Sequence, residues 1–119
     1  RFEGDFLKLA ESMREGQFDA VVSTSALEHF GLGTYGESFK DPDLDSKAID
    51  AVYRLLKPGG MFYVTVPYGE KHLTFGYHWR AYDRQTLQER IIRRFEVVEK
   101  VFFKSAYAPG VSDVDGIVK

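Results

Sequence analysis

Two short apolar runs constrain this chain more than any other feature. They are "FDAVVSTS" at 18–25 and "MFYVTV" at 61–66, both rich in β-branched and aromatic residues and too short for buried helices. Each reads as a strand buried on both faces. Between them, "SKAIDAVYRLL" (46–56) sets Ala48, Ile49, Val52, Leu55 and Leu56 on one helical face. Asp45 is its candidate N-cap and Pro58-Gly59-Gly60 its terminator. The alternation extends both ways. "DFLKLAESMRE" (5–15) has helical spacing, "RQTLQERIIRRF" (84–95) is a helix capped by Asp83, "EVVEKVFFK" (96–104) is strand-like, and "DGIVK" (115–119) begins another strand.

Strands alternating with amphipathic helices imply crossover units and a mostly parallel sheet. The expected class is therefore α/β, a Rossmann-like sheet with flanking helices. Such sheets bind ligands outside the carboxyl ends of their strands. That directs attention to residues 23–45 and 67–82.

With 119 residues, 44% of them hydrophobic, the chain makes one domain, small for a complete α/β enzyme. It opens on Arg1 and closes on what reads as a strand cut short, so a partial domain over 1–119 is expected. A net charge of -2 without a Lys/Arg run gives no footprint for nucleic acid or a membrane surface. No run approaches the roughly 20 apolar residues of a span, and no signal-peptide pattern is present. The absence of Cys excludes disulfides and fits a reducing, cytoplasmic setting.

Gly31-Leu-Gly33-Thr-Tyr-Gly36 spells G-x-G-x-x-G, the dinucleotide fingerprint. The fingerprint works only between a strand and an immediately following helix N-terminus. Here the strand ends six residues earlier, near Ser25, and "ESFKDPDLD" follows, with Pro42 against a helix. A nicotinamide cofactor is therefore not expected, and the glycines read as a loop free to close over a ligand.

"FDAVVSTSALEHF", followed by a helix ending "RLLKPGGMFYVTVP", resembles the C-terminal half of class I S-adenosylmethionine-dependent methyltransferases. "HWRAYDRQTLQERIIRRFEVVE" is similar to that family's later loop, helix and sixth strand. The longer run "EHFGLGTYGE…DPDLDSKAI…LLKPGG" is similar to a branch associated with cell-surface polysaccharide synthesis. The resemblance covers roughly residues 4 to 104 and implies strands four to six or seven of a seven-stranded fold. The family's Gly-rich cofactor turn and its ribose-binding acidic residue are absent and would lie upstream of Arg1.

The resemblance implies S-adenosylmethionine as cofactor and a small-molecule or glycan-precursor acceptor. Asp5 matches the acidic residue that accepts from the adenine amino group; it equally suits a helix N-cap. Ser23, Thr24 and Ser25 end the fourth strand and line the methionine side, or serve strand-end hydrogen bonds. His29, beside Glu28, is the candidate base for an acceptor hydroxyl, or orients its loop. Tyr35 lies near that loop's tip. Tyr68, His72, His78, Trp79, Arg80 and Tyr82 form an aromatic and cationic set suited to stacking on a sugar and pairing with an anion, or to packing on itself. His72 and His78 have too few carboxylates nearby for a metal site, so none is expected. Arg90, Arg93 and Arg94 read as a solvated face. Loss of three strands would bare a sheet edge, so a second copy or a partner is expected to cover it. The competing reading is a non-catalytic remnant or binding module.

Overall fold

The computed structural model describes residues 5–33, 41–75, 79–104 and 111–118. Helix α1 (Phe6–Ser12) starts at Asp5, whose Oδ1 accepts the N–H groups of Leu7 and Lys8. At its other end the Arg54 guanidinium donates to the carbonyls of Ala10 and Met13, satisfying groups the helix leaves open. Strand β1 (Phe18–Thr24), a 3₁₀ turn (Leu27–His29), helix α2 (Leu44–Leu55) and strand β2 (Leu56–Gly69) follow. A small hairpin pairs β3 (Leu73–Phe75) with β4 (Trp79–Ala81). Helix α3 (Arg84–Leu87) runs on into a π-helical turn (Gln88–Ile92) and leads to β5 (Val97–Lys104) and β6 (Val111–Val118).

The main sheet has the order β1-β2-β6-β5. β1 and β2 are parallel, and β6 is antiparallel to both of its neighbours, so β5 points the same way as β1 and β2. Three of the four strands thus share one direction, with the last strand in sequence wedged between β2 and β5. This is the expected α/β class, a mostly parallel sheet with helices packed against it.

The "LKPGG" turn shows why its glycines stand where they do. β2 pairs at Leu56 with Phe18 and resumes at Met61 with Ala20, so residues 57–60 loop out of register. Gly59 carries φ 79°, a left-handed conformation costly for other residues. A Cβ on Gly60 would stand 2.8 Å from the Lys57 carbonyl and 3.2 Å from that of Asp19. One glycine supplies the turn, and the other the close approach to β1.

The core lies on one face of the sheet. Phe62, Val64 and Val66 of β2 pack with Ala48, Ile49 and Val52 of α2, with Leu87, Ile91 and Ile92 after them, and with Phe6 and Leu7 of α1. Among the described residues no helix packs on the opposite face. Val22 is 68% exposed, its register partner Tyr63 is 39% exposed, and Val101 is exposed too. The expectation of strands buried on both faces is therefore corrected. β1 and β2 alternate between core and solvent because all three helices cover the same side. Among the described residues no helix is long and apolar enough to cross a membrane.

Candidate functional site

The carboxyl end of β1 carries a strained backbone residue. Ser25, directly after β1, adopts φ 45° without being glycine. Its N–H donates to Thr65 Oγ1 of β2 at 2.9 Å, which holds the turn. Strained residues of this kind cost about 1–3 kcal/mol and concentrate at ligand sites. The chain then drops into the 3₁₀ turn, where Leu27 and Glu28 are buried. Glu28 Oε1 lies 3.8 Å from His29 Nε2, and the His29 side chain is one-quarter exposed.

Gly31 closes the loop that follows. The Asp41 N–H donates to its carbonyl at 3.0 Å. With φ 76°, a Cβ at Gly31 would stand 1.9 Å from the Asp41 carbonyl oxygen. The first glycine of the G-x-G-x-x-G spelling is thus a pinch between two strands of loop. Residues 34–40, the third glycine among them, lie outside the described residues, and the next described helix is α2, from Leu44.

Beneath the pinch lies a buried polar knot. Asp45 is fully buried; Arg90 grips both of its oxygens, Nη2 to Oδ1 at 2.6 Å and Nε to Oδ2 at 2.9 Å. Tyr82, also fully buried, donates its hydroxyl to Oδ2 at 2.7 Å. Arg80, 2% exposed, stands with Nε 3.9 Å from Oδ2 and donates to the carbonyls of Phe30 (2.6 Å), Pro42 (3.2 Å) and Glu28 (3.4 Å). Burial pushes the Asp45 carboxyl up, but the Arg90 hydrogen bonds, the Arg80 charge and the Tyr82 hydroxyl outweigh it and hold it below the usual carboxylate range. The Tyr82 hydroxyl is raised well above its ordinary value, by burial first and the Asp45 charge second. Together these groups fasten both ends of the Glu28–Asp45 loop to the core.

Three expectations change here. Arg80, expected to meet a substrate, has its guanidinium engaged by loop carbonyls beneath the surface. Arg90, expected on a solvated face, is largely covered and grips Asp45; Arg93 and Arg94 do lie at the surface, both paired with Asp50. Asp45, expected as the N-cap of α2, lies inside its first turn, after Asp43 at the cap position. Asp45 and Arg90 are the members of this knot that spacing did not single out as interacting groups, and Tyr82, expected in the aromatic and cationic set, turns its hydroxyl inward to Asp45. The signal was present: Asp45 falls on the same helical stripe as Ala48, Val52 and Leu55, and a charge on an apolar stripe requires a partner.

The second loop joins the first through Tyr82. Its backbone pairs with Pro67 and Gly69 at the end of β2, and its ring faces the edge of His72 at 5.5 Å. Tyr68, on the end of β2, packs against Phe102 with ring centroids 5.0 Å apart. Trp79 opens β4, half-buried. Asp5 makes its cap bonds through Oδ1 alone. Ser23 and Thr24 close β1 on opposite sides of the sheet, opposite Val64 and Thr65. Tyr35 and His78 lie outside the described residues. Among the described residues no cluster of three or more His, Asp or Glu is arranged to hold a metal.

The family described as "Caenorhabditis protein of unknown function, DUF268" matches residues 4–108. No curated protein matches the chain. Among solved structures, it is similar to the Burkholderia thailandensis 1,6-didemethyltoxoflavin-N1-methyltransferase with bound 1,6-didemethyltoxoflavin and S-adenosylhomocysteine (TM-score 0.67, 19% identity, 92% of this chain and 47% of that one). It is also similar to the [4+2]-cyclase SpnF (TM-score 0.59, 16% identity, 90% and 51%). A S-adenosylmethionine-dependent methyltransferase of Leishmania major gives a TM-score of 0.56 at 13% identity, over 91% and 42%. The chain spans about half the length of the solved structures it matches. At these identities the likeness establishes the fold, a class I methyltransferase fold in part.

Proposed function

We propose that this chain, which belongs to the DUF268 family, forms the acceptor-side half of a S-adenosylmethionine-dependent methyltransferase acting on a small molecule or a glycan precursor. The observation that carries the reading is the strained Ser25 at the carboxyl end of β1, tied to Thr65 of the parallel β2. Open α/β sheets bind their ligands at such a strand end. The residues present fit the cofactor's nucleoside and methionine portions. Asp5 keeps Oδ2 outside its cap bonds, where it suits an adenine amino donor. Ser23, Thr24 and Ser25 bring hydroxyls to the strand end.

Bound there, the cofactor supplies a methyl group already activated by its sulfonium. The protein's main task is alignment, which is worth roughly 7–11 kcal/mol when two groups are held in reacting geometry. Glu28 and His29 lie on the turn after β1, at the root of the acceptor loop; Tyr68, His72 and Trp79, at and beyond the end of β2, are the acceptor contacts this reading assigns. Arg80 acts from below by holding the carbonyls of that turn.

Isothermal titration with S-adenosylmethionine tests this reading. Residues 1–119 are expected to bind only at millimolar concentrations, and the intact protein at micromolar ones. Absence of binding by the intact protein would sink the proposal, while micromolar binding by 1–119 would overturn the claim that half the cofactor site lies elsewhere. The bare sheet face supports a second reading, an interaction module that keeps the fold without the transfer, and the same titration separates the two.

A further inference from the structure

His72 lies three residues beyond the end of β2, half-buried, in a setting that fixes the position of its proton. Its Nδ1 is 3.0 Å from Thr86 Oγ1. Thr86 occupies the third position of α3 in a capping box with Asp83: the Asp83 N–H donates to Thr86 Oγ1 at 3.0 Å, and Thr86 Oγ1 lies 2.9 Å from Asp83 Oδ1. The His72 N–H donates to the other oxygen, Asp83 Oδ2, at 3.1 Å. The Thr86 amide, with further help from the Thr86 hydroxyl and the His72 amide, holds the Asp83 carboxyl below its ordinary range despite partial burial, so it is ionised at neutral pH.

A hydroxyl has one proton to donate. An ionised carboxylate has none, so the 2.9 Å contact is a hydrogen bond only if Thr86 donates to Asp83. The 3.0 Å contact to His72 is then a hydrogen bond only if Nδ1 donates. Neutral His72 is therefore the Nδ1–H tautomer, with its lone pair on Nε2. Among the described residues no donor meets Nε2. The charged groups that act on the ring are Arg90 and Arg80, which disfavour its protonation, and Asp83 and Asp45, which favour it. Burial, then the Arg90 charge, lowers the imidazole below its ordinary value, against the two carboxylates.

We infer that His72, held as the Nδ1–H tautomer by the Asp83–Thr86 cap, is the proton acceptor for the attacking hydroxyl or amine of the methyl acceptor, with Thr86 and Asp83 as positioning residues. The inference rests on the methyltransferase reading. The attacking oxygen or nitrogen forms its bond to the methyl carbon as the carbon–sulfur bond breaks, leaving that electron pair on the sulfur, which loses its charge. The attacking atom's proton passes to Nε2, and the resulting imidazolium keeps its Nδ1–H bond to Thr86. The "YDRQT" cap of a short helix thereby serves as the support of a base.

Long-range ¹⁵N–¹H NMR of the imidazoles in the intact protein, without cofactor, reads the tautomer directly. His72 is expected to show the Nδ1–H pattern at pH 7.5, Thr86→Ser to retain it and Thr86→Val to lose it. An Nε2–H pattern in the unaltered protein overturns the inference, as does a pattern unchanged in Thr86→Val. If Thr86→Val does not fold, a second measurement decides on the unaltered protein: diethylpyrocarbonate, which attacks unprotonated imidazole nitrogen, with the modified residue read by mass spectrometry. His72 is expected to react at pH 7 and to lose reactivity as acid protonates it; an unreactive His72 at pH 7 overturns the inference. None of these outcomes depends on cofactor binding. A protein that shows the tautomer yet binds no S-adenosylmethionine would refute the methyltransferase reading, and with it the proton-acceptor role, while leaving the His72 geometry intact.

Discussion

Gly31 and Gly59 have nearly the same backbone, φ 76° and 79°, but different neighbours. A Cβ on Gly59 meets nothing within 4 Å, whereas one on Gly31 runs into the Asp41 carbonyl. Gly59→Ala is therefore expected to cost about 1–2 kcal/mol, the usual penalty of a left-handed residue. Gly31→Ala adds the displacement of the Asp41 strand of the loop, for about 3 kcal/mol or more in total. Urea denaturation of the two variants side by side checks the ordering; equal losses would show that the Gly31 pinch yields easily. The sequence marked Gly31 as part of a nucleotide fingerprint and, once that failed, as a source of loop freedom, whereas the structure uses it as a pinch. Neither its φ nor the approach of Asp41, ten residues on, is written in local spacing.

Helix α2 illustrates how far periodicity reaches. Its apolar stripe, Ala48, Ile49, Val52 and Leu55, is legible from spacing and is the stripe that packs. Asp45 shares the stripe, and its partners come from segments about 40 residues away. Its folded-state pKa is depressed, so its contribution to stability is present above the unfolded value near 3.8 and is lost as pH falls through the lower folded value. That contribution is expected to be flat from pH 7 to about 5 and to fall below about 4, while the depressed His72 value adds a separate, smaller loss below about pH 6.5. Asp45→Asn leaves Arg90 and Arg80 facing a neutral group at every pH. The expected loss at pH 7 is about 3–5 kcal/mol, with a shallower acid limb than the unaltered protein. Thermal melts between pH 3 and 7 measure both; parallel acid limbs would contradict the assignment. The α3 segment deviates in a different way. One continuous helix over 84–95 is expected from Leu87, Ile91 and Phe95, yet its second half is a π-helical turn. There Arg90 reaches Asp45 while Ile91 and Ile92 stay in the core.

For the molecule as a unit, the consequence of one-sided packing is association. Val22 and Tyr63 stand side by side on the bare face, and β1 is an edge strand of the main sheet. Such edges and faces rarely stay open to water. Residues 1–119 are expected to self-associate in light scattering at micromolar concentration. Val22→Lys is expected to reduce that association while changing stability by less than about 0.5 kcal/mol, since the side chain is 68% exposed. A monodisperse monomer before substitution would count against the bare face as an interaction surface.

The alternation of the main strands and helices and the caps at Asp5 and Asp83 were readable from spacing and residue type; the small β3–β4 hairpin, inside a stretch that reads as loop, was not. These depend on contacts within a few positions along the chain, which local pattern encodes. Which faces of β1 and β2 meet solvent, that Arg80 turns inward rather than toward a ligand, and that Asp45, Tyr82 and Arg90 form one buried knot were not readable. Each of those outcomes depends on groups 37 to 52 residues apart meeting through packing. A buried charge finds its partner in three dimensions, and nothing in the spacing of either partner names the other.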